Sequence, residues 1–155
     1  VVWPDATRRL VTERTTLHLL REGMRERARA LGFVLDEFFL ETDGLSARRL
    51  TKILHARGIV GVIVAPVSFH AHMELGLEWD RFAAVAIGAG LQQLGLSRVH
   101  NDHYKTICDC MLRVQEAGHQ RIGLMLDSET ADRLNGQLQG AFLARHPLGA
   151  AAALP

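Results

Sequence analysis

The chain reads as an α/β protein built on a parallel sheet, in the three-layer αβα arrangement of Rossmann-like folds. Three observations predict this. Ala56-Arg57-Gly58 closes an amphipathic segment, and Ile59-Val60-Gly61-Val62-Ile63-Val64-Ala65 follows at once. The same grammar returns at Ala117-Gly118-His119-Gln120, followed by Arg121-Ile122-Gly123-Leu124-Met125-Leu126. Phe82-Ala83-Ala84-Val85-Ala86-Ile87, closed by Gly88, is apolar on both faces like the first run. A helix that feeds a strand, twice over, implies parallel strands joined by helical crossovers. Strands apolar on both faces are what a sheet covered on both sides requires.

Taken in order, Val1-Val2 reads as the end of a strand whose start is absent. Leu17, Leu20, Met24, Ala28 and Leu31 recur at three- and four-residue steps and predict a helix over about 15–31, stopped by Gly32. Phe33-Val34-Leu35 and Phe38-Phe39-Leu40, interrupted by Asp36-Glu37, predict a strand that is not uniformly buried. Ser46 is a good N-cap for the next helix, with Leu45 placed to pack on Leu50 as a staple. Leu50, Ile53 and Leu54 form its inner stripe and Gly58 its C-cap. Pro66 ends the strand over 59–65, because it has no N–H for the ladder.

Residues 67–80 read as a loop, with a helical turn near His72-Met73-Glu74-Leu75 and Trp79 assigned to the core or a dimer surface. A short strand around Arg98-Val99 precedes a helix over about 102–117, with Ile107, Cys110, Met111 and Val114 inward. The strand Arg121 to Leu126 and a last helix near 131–144 complete the pattern. That helix has no strand to return to, so the chain reads as a fragment.

Composition excludes several classes. At 155 residues, 48% apolar and 23% charged, the chain has the size of one domain or half of a two-lobed protein and can bury a real core. A net charge of +1 gives no strong pull toward DNA or a membrane surface. Arg21, Arg25, Arg27 and Arg29 are dense but lie at helical spacing among Glu22 and Glu26, which predicts a solvated, ion-paired face. No run reaches the roughly 18 apolar residues of a membrane helix. The start, Val1-Val2-Trp3-Pro4-Asp5, lacks the basic and apolar stretches of a signal peptide. Cys108 and Cys110 point to nearly opposite sides of a helix and cannot pair with each other. They read as buried thiols in a reducing cytosol.

Chemical motifs are sparse. His70-Ala71-His72 has no third ligand nearby in sequence, so no metal site is expected. Gly88-Ala89-Gly90 follows a strand but fails as a dinucleotide motif, since the third glycine should fall at Gln93. Gly-x-Ser-x-Gly, P-loop and His-Glu-x-x-His signatures are missing, so no catalytic residue and no cofactor is expected.

Six motifs occur in a telling order: Gly23 with Arg29-Ala30-Leu31-Gly32-Phe33, Arg57 to Val64, Val85-Ala86-Ile87-Gly88, Val99-His100-Asn101-Asp102, Gly118 to Gly123, and Arg133-Leu134-Asn135-Gly136. In this order the stretch from about 17 to 144 resembles the effector-binding core of LacI/GalR-family transcriptional regulators, a two-lobed fold of the type I periplasmic-binding-protein kind. The resemblance implies an N-terminal lobe over 1–117 and, over 118–155, the hinge crossing and the start of a C-terminal lobe. Gly118 and His119 would be hinge residues. It further implies a cytoplasmic homodimer, allosterically controlled, that binds a sugar or other small metabolite in the interlobe cleft. Operator DNA would be bound only through an N-terminal helix-turn-helix that this chain lacks. The family often has Asn-Pro-Phe-Phe where this chain has Arg14-Thr15-Thr16-Leu17, so the first ligand-contacting loop has diverged.

The resemblance also implies candidate ligand residues. Asp102 matches the family's Val-x-x-Asp position at the carboxyl end of a strand, where a carboxylate accepts two sugar hydroxyls; alternatively it serves the positive end of its own helix. Arg133 matches the family's Arg-x-x-Gly, and its guanidinium offers five donors in a rigid fork, the alternative being a surface arginine. Asp127 lies just past a strand end on the same side. Ser68 and Phe69 come after another strand end, and Phe69 can stack on a sugar's apolar face or pack under its loop. Two competing readings are an exported sugar-binding protein of a transporter, which shares the fold, and an enzyme. Sequence upstream of Val1 separates the first from a regulator, and turnover by a nucleophile or phosphate loop would mark the second.

Overall fold

Five strands form one all-parallel sheet in the computed structural model, which describes residues 1–3, 16–40, 45–66, 75–89 and 94–147. The strands are β1 (Val2–Trp3), β2 (Phe38–Phe39), β3 (Gly61–Val64), β4 (Ala83–Ile87) and β5 (Ser97–Val99), in the order β2-β1-β3-β4-β5. The α/β class expected from the sequence is what the chain adopts. By contact the chain divides into two compact units, Val1–His100 and Asn101–Pro155.

The first unit has three layers. The β1→β2 crossover contains α1 (Thr16–Ala30) and the β2→β3 crossover contains α2 (Ala47–Ala56). Strand side chains alternate between faces, which separates Val2 from Trp3 and Val64 from Ala65. Val2, Val62, Val64 and Ala86 join Leu50 and Leu54 of α2 in the larger core cluster. Trp3 and Ala65 face the other way, where Leu17 and Met24 of α1 pack on them. Register is set at the centre: Val2 pairs with both Phe38 and Val64, and β3 pairs with β4 from Gly61↔Ala83 to Val64↔Ala86.

Local chemistry sets the helix ends. Ser46 Oγ accepts from the Arg49 N–H at 3.3 Å, the expected N-cap, and Leu45 packs against the cluster that holds Leu50. At the other end Gly58 takes φ +66°, which lets the Ile59 N–H reach back to the Leu54 carbonyl at 2.9 Å.

Two expectations are corrected in this unit, and a third lies largely outside the described residues. Only Phe38–Phe39 of the segment over 33–40 is a strand, because its partner β1 offers two residues of ladder. Phe33 and Val34 stand in solvent instead. The turn expected near His72-Met73-Glu74-Leu75 falls largely on residues outside those described; a 3₁₀ turn is found at Trp79–Arg81. Trp79 itself packs on the core cluster. Finally, Arg21 and Arg25 are paired less with their own helix than with Glu37. Arg21 Nε donates to Glu37 Oε2 at 2.7 Å and Arg25 Nε to Oε1 at 2.8 Å, while the Arg25–Glu22 contact is 3.5 Å.

The second unit is helical among its described residues: α3 (His103–Glu116), α4 (Ser128–Arg133) and α5 (Gln137–Arg145). α3 packs on α5, with Met111, Ala141 and Phe142 buried. Contacts therefore group α3 with the later helices, whereas the motif order set the crossing after α3, at Gly118. Three expectations are corrected in this unit. Residues 121–126 join no ladder, since the described residues of this unit contain no second strand to satisfy their N–H and C=O groups. The helix expected near 131–144 is two helices, because Asn135 and Gly136 both take left-handed backbone, at φ +50° and +67°. Cys110 is also exposed rather than inward, and Cys108 is half-buried. Around α3, Cys108 lies roughly 60° from buried Met111 and Cys110 roughly 100° from it, so Cys108 is nearer the packed face.

Candidate functional site

Strand order places the candidate crevice. The chain moves outward from β1 to β2 in one direction and from β3 to β5 in the other, so the connections leaving β1 and β3 diverge. In open parallel sheets a ligand crevice forms outside the carboxyl ends of the strands at such a reversal. Here those ends are Trp3 on β1 and Val64 on β3, held together by the Ala65 N–H donating to the Val2 carbonyl at 2.9 Å. Pro66 comes directly after and ends the β3 ladder.

The neighbouring strand end lies beside it. Gly88, just past β4, has φ +97°, and a Cβ placed there would meet the Pro66 Cβ at 3.5 Å. Its N–H donates to the Val99 carbonyl at 2.9 Å, which keeps β4 and β5 together up to this edge. Gly88 thus serves the sheet's edge through its backbone. Ser68 and Phe69 come immediately after this edge in the chain and lie outside the described residues.

In the second unit the candidates have local partners. Asp102 is the N-cap of α3: its Oδ1 accepts from the Lys105 N–H at 2.8 Å. Asp127 caps α4 in the same way, accepting from the Thr130 N–H at 2.7 Å. Those hydrogen bonds from Thr130, with the charge of Arg133 adding to them, hold the Asp127 carboxyl below the usual aspartate range. Arg133 closes α4, one helix length from Asp127. The structure therefore brings Asp127 and Arg133 into one electrostatic neighbourhood. Gly118 and His119 form the C-terminal cap of α3. Gly118 takes φ +88°, and the His119 N–H reaches the Val114 carbonyl at 3.2 Å.

Sequence reasoning missed the most heavily bonded carboxylate among the described residues. Glu37 has 9% of its side chain exposed and receives Arg21, Arg25 and the Trp3 indole N–H, the last at 3.0 Å. Burial by itself would raise its carboxyl, but the hydrogen bonds and charges of the two arginines outweigh this and hold it below the usual glutamate range. All of its partners are internal, so its chemistry is that of a tie between α1, β1 and β2. No spacing rule links positions 3, 21, 25 and 37, and no sequence signal could have found the group. A second missed group is His146, buried, edge-on to Phe142 and 3.1 Å from the Ile122 carbonyl.

Among the described residues no cluster of three His, Cys, Asp or Glu could hold a metal, and His70 and His72 lie outside them. Nor is any described helix long and apolar enough to cross a membrane. No protein-family model, curated protein or solved structure matches the chain.

Proposed function

We propose that the chain is the ligand-sensing part of a LacI-type transcriptional regulator, binding a sugar-like metabolite beside the carboxyl ends of β1 and β3. The observation that carries this reading is the sheet order β2-β1-β3-β4-β5, which puts the reversal of chain direction at β1 and β3. The order of the six motifs supplies the regulatory half of the proposal. Ser68 and Phe69 come after the β3 edge in sequence; Asp102, Asp127 and Arg133 are proposed for ligand hydroxyls from the motif order alone. In a dimer such a ligand acts on operator affinity by binding one conformation more tightly than another, with Gly118 and His119 proposed to absorb the change.

The test is a thermal-stability screen of the full-length polypeptide against sugars and small metabolites. A ligand at a hundred times its Kd stabilises by about 2.7 kcal/mol. Asp102→Asn is the informative variant, because asparagine still caps α3 while the carboxylate is lost. Loss of the ligand-induced shift in Asp102→Asn and in Arg133→Ala supports the assignment. A shift unchanged in both sinks it.

A further inference from the structure

Described side chains from the β3→β4 and the β4→β5 connections gather on one side of the sheet. Leu75, Leu77 and Trp79, between β3 and β4, pack into the cluster built on Val62, Val64 and Ala86; so do Leu94 and Leu96, between β4 and β5. That is the α2 face. Strand alternation puts Ile63 and Val85 on the opposite face, the one α1 occupies. Yet α1 is anchored over Trp3 and Ala65, near the β1 side of the sheet. Neither Ile63 nor Val85 belongs to either core cluster of the described residues. A cavity of about 950 Å³ opens there, bounded by Gly23, Arg27, Leu31, Ile63 and Val85 among others, and it continues round the amino end of β3 past Val60 to Leu54 and Val62.

The opening is an apolar furrow running toward the amino ends of β3 and β4. Val34 and Val60 on its rim are 93% and 74% exposed. Its charged side chains are Arg27 and Asp36. Asp36 meets Arg57 at 3.4 Å, while Arg27 has no side-chain partner among the described residues. The furrow thus offers one uncompensated cation beside an apolar floor. It lies at the strand ends opposite to those proposed for the ligand.

We infer that this open face seats an amphipathic helix of a partner polypeptide, with its apolar side on Ile63 and Val85 and a carboxylate against Arg27. Parallel sheets carry helices on both faces, because strands apolar on both sides leave one face wet otherwise. α1 supplies one wall of the furrow and the strands its floor, which is how a second helix lies beside a first on a sheet. The acidic side is set by charge complementarity with Arg27, since Asp36 already has its arginine.

Two designed helical peptides with the same leucine stripe, one flanked by Glu and the other by Lys, test this by fluorescence anisotropy on the full chain. The Glu peptide binds the wild type more tightly, by about threefold, the scale of one exposed ion pair. Arg27→Glu reverses the order of the two peptides. Val34→Lys and Val60→Lys, both at exposed positions and checked for fold by circular dichroism, weaken both peptides tenfold or more. Equal binding of the two peptides, or an order unchanged by Arg27→Glu, overturns the inference. So does failure of both peptides to bind, whether oleate binds in their place (a small amphiphile) or sedimentation shows self-association that Val60→Lys abolishes (a second copy).

Discussion

The indole N–H of Trp3 donates to Glu37 Oε2 across 3.0 Å, tying the residue that ends β1 to the residue that precedes β2. The same carboxylate receives Arg21 and Arg25 of α1. One side chain therefore holds two adjacent strands and the helix that crosses between them.

Removing its charge should be costly. Glu37→Gln keeps the shape but leaves two guanidinium groups short of their carboxylate, and stability falls by about 2 kcal/mol. Urea denaturation followed by circular dichroism measures it. A loss within error of zero would mean that the arginines find water instead.

The same group predicts a pH dependence. Its folded pKa lies below the ordinary glutamate value of 4.5, so its contribution is complete above that value and is lost as pH falls through the folded pKa. The stability difference between wild type and Glu37→Gln should be constant above 4.5 and shrink progressively below it. A difference that stays constant on acidification contradicts the assignment.

Two glycines should respond in opposite directions to alanine. Gly88 has φ +97° and Pro66 against the position of a new Cβ, so Gly88→Ala lowers stability by about 1–2 kcal/mol. Gly140 lies inside α5 with nothing within 4 Å of a built Cβ, so Gly140→Ala raises stability by up to about 1 kcal/mol. Thermal melts of the two variants decide both signs.

Asp102 separates capping from binding. Asp102→Ala removes the acceptor for the Lys105 N–H and costs about 1 kcal/mol, whereas Asp102→Asn is close to neutral. Equal losses in the two variants would show that charge, rather than the cap, holds the start of α3.

Much of the first unit was legible along the chain. Ser46 and Gly58 mark the ends of α2, and the doubly apolar runs before Pro66 and Gly88 are β3 and β4. Gly118 marks the end of α3 equally well, with the left-handed backbone its position demands. These signals are local: a cap, a glycine or a period of side chains acts within a few residues of itself. The candidate ligand residues were legible only as positions. Asp102 stands out by its match to the family's Val-x-x-Asp position and Asp127 by its place just past an expected strand end; the structure adds that both cap helices.

The sequence by itself determined α1, α2 and α3, most of their ends and the parallel α/β class. Tertiary structure decided which segments became strands. Residues 121–126 carry the same helix-glycine-strand grammar as 59–65, yet only the latter lies between β1 and β4 and finds ladder partners on both sides. Tertiary structure also gave Arg21 and Arg25 a carboxylate outside their helix and left Ile63 and Val85 outside both core clusters of the described residues. Both outcomes depend on groups far apart in sequence. Pairing a strand or a charge requires a partner in space, and no periodicity along the chain encodes which partner arrives.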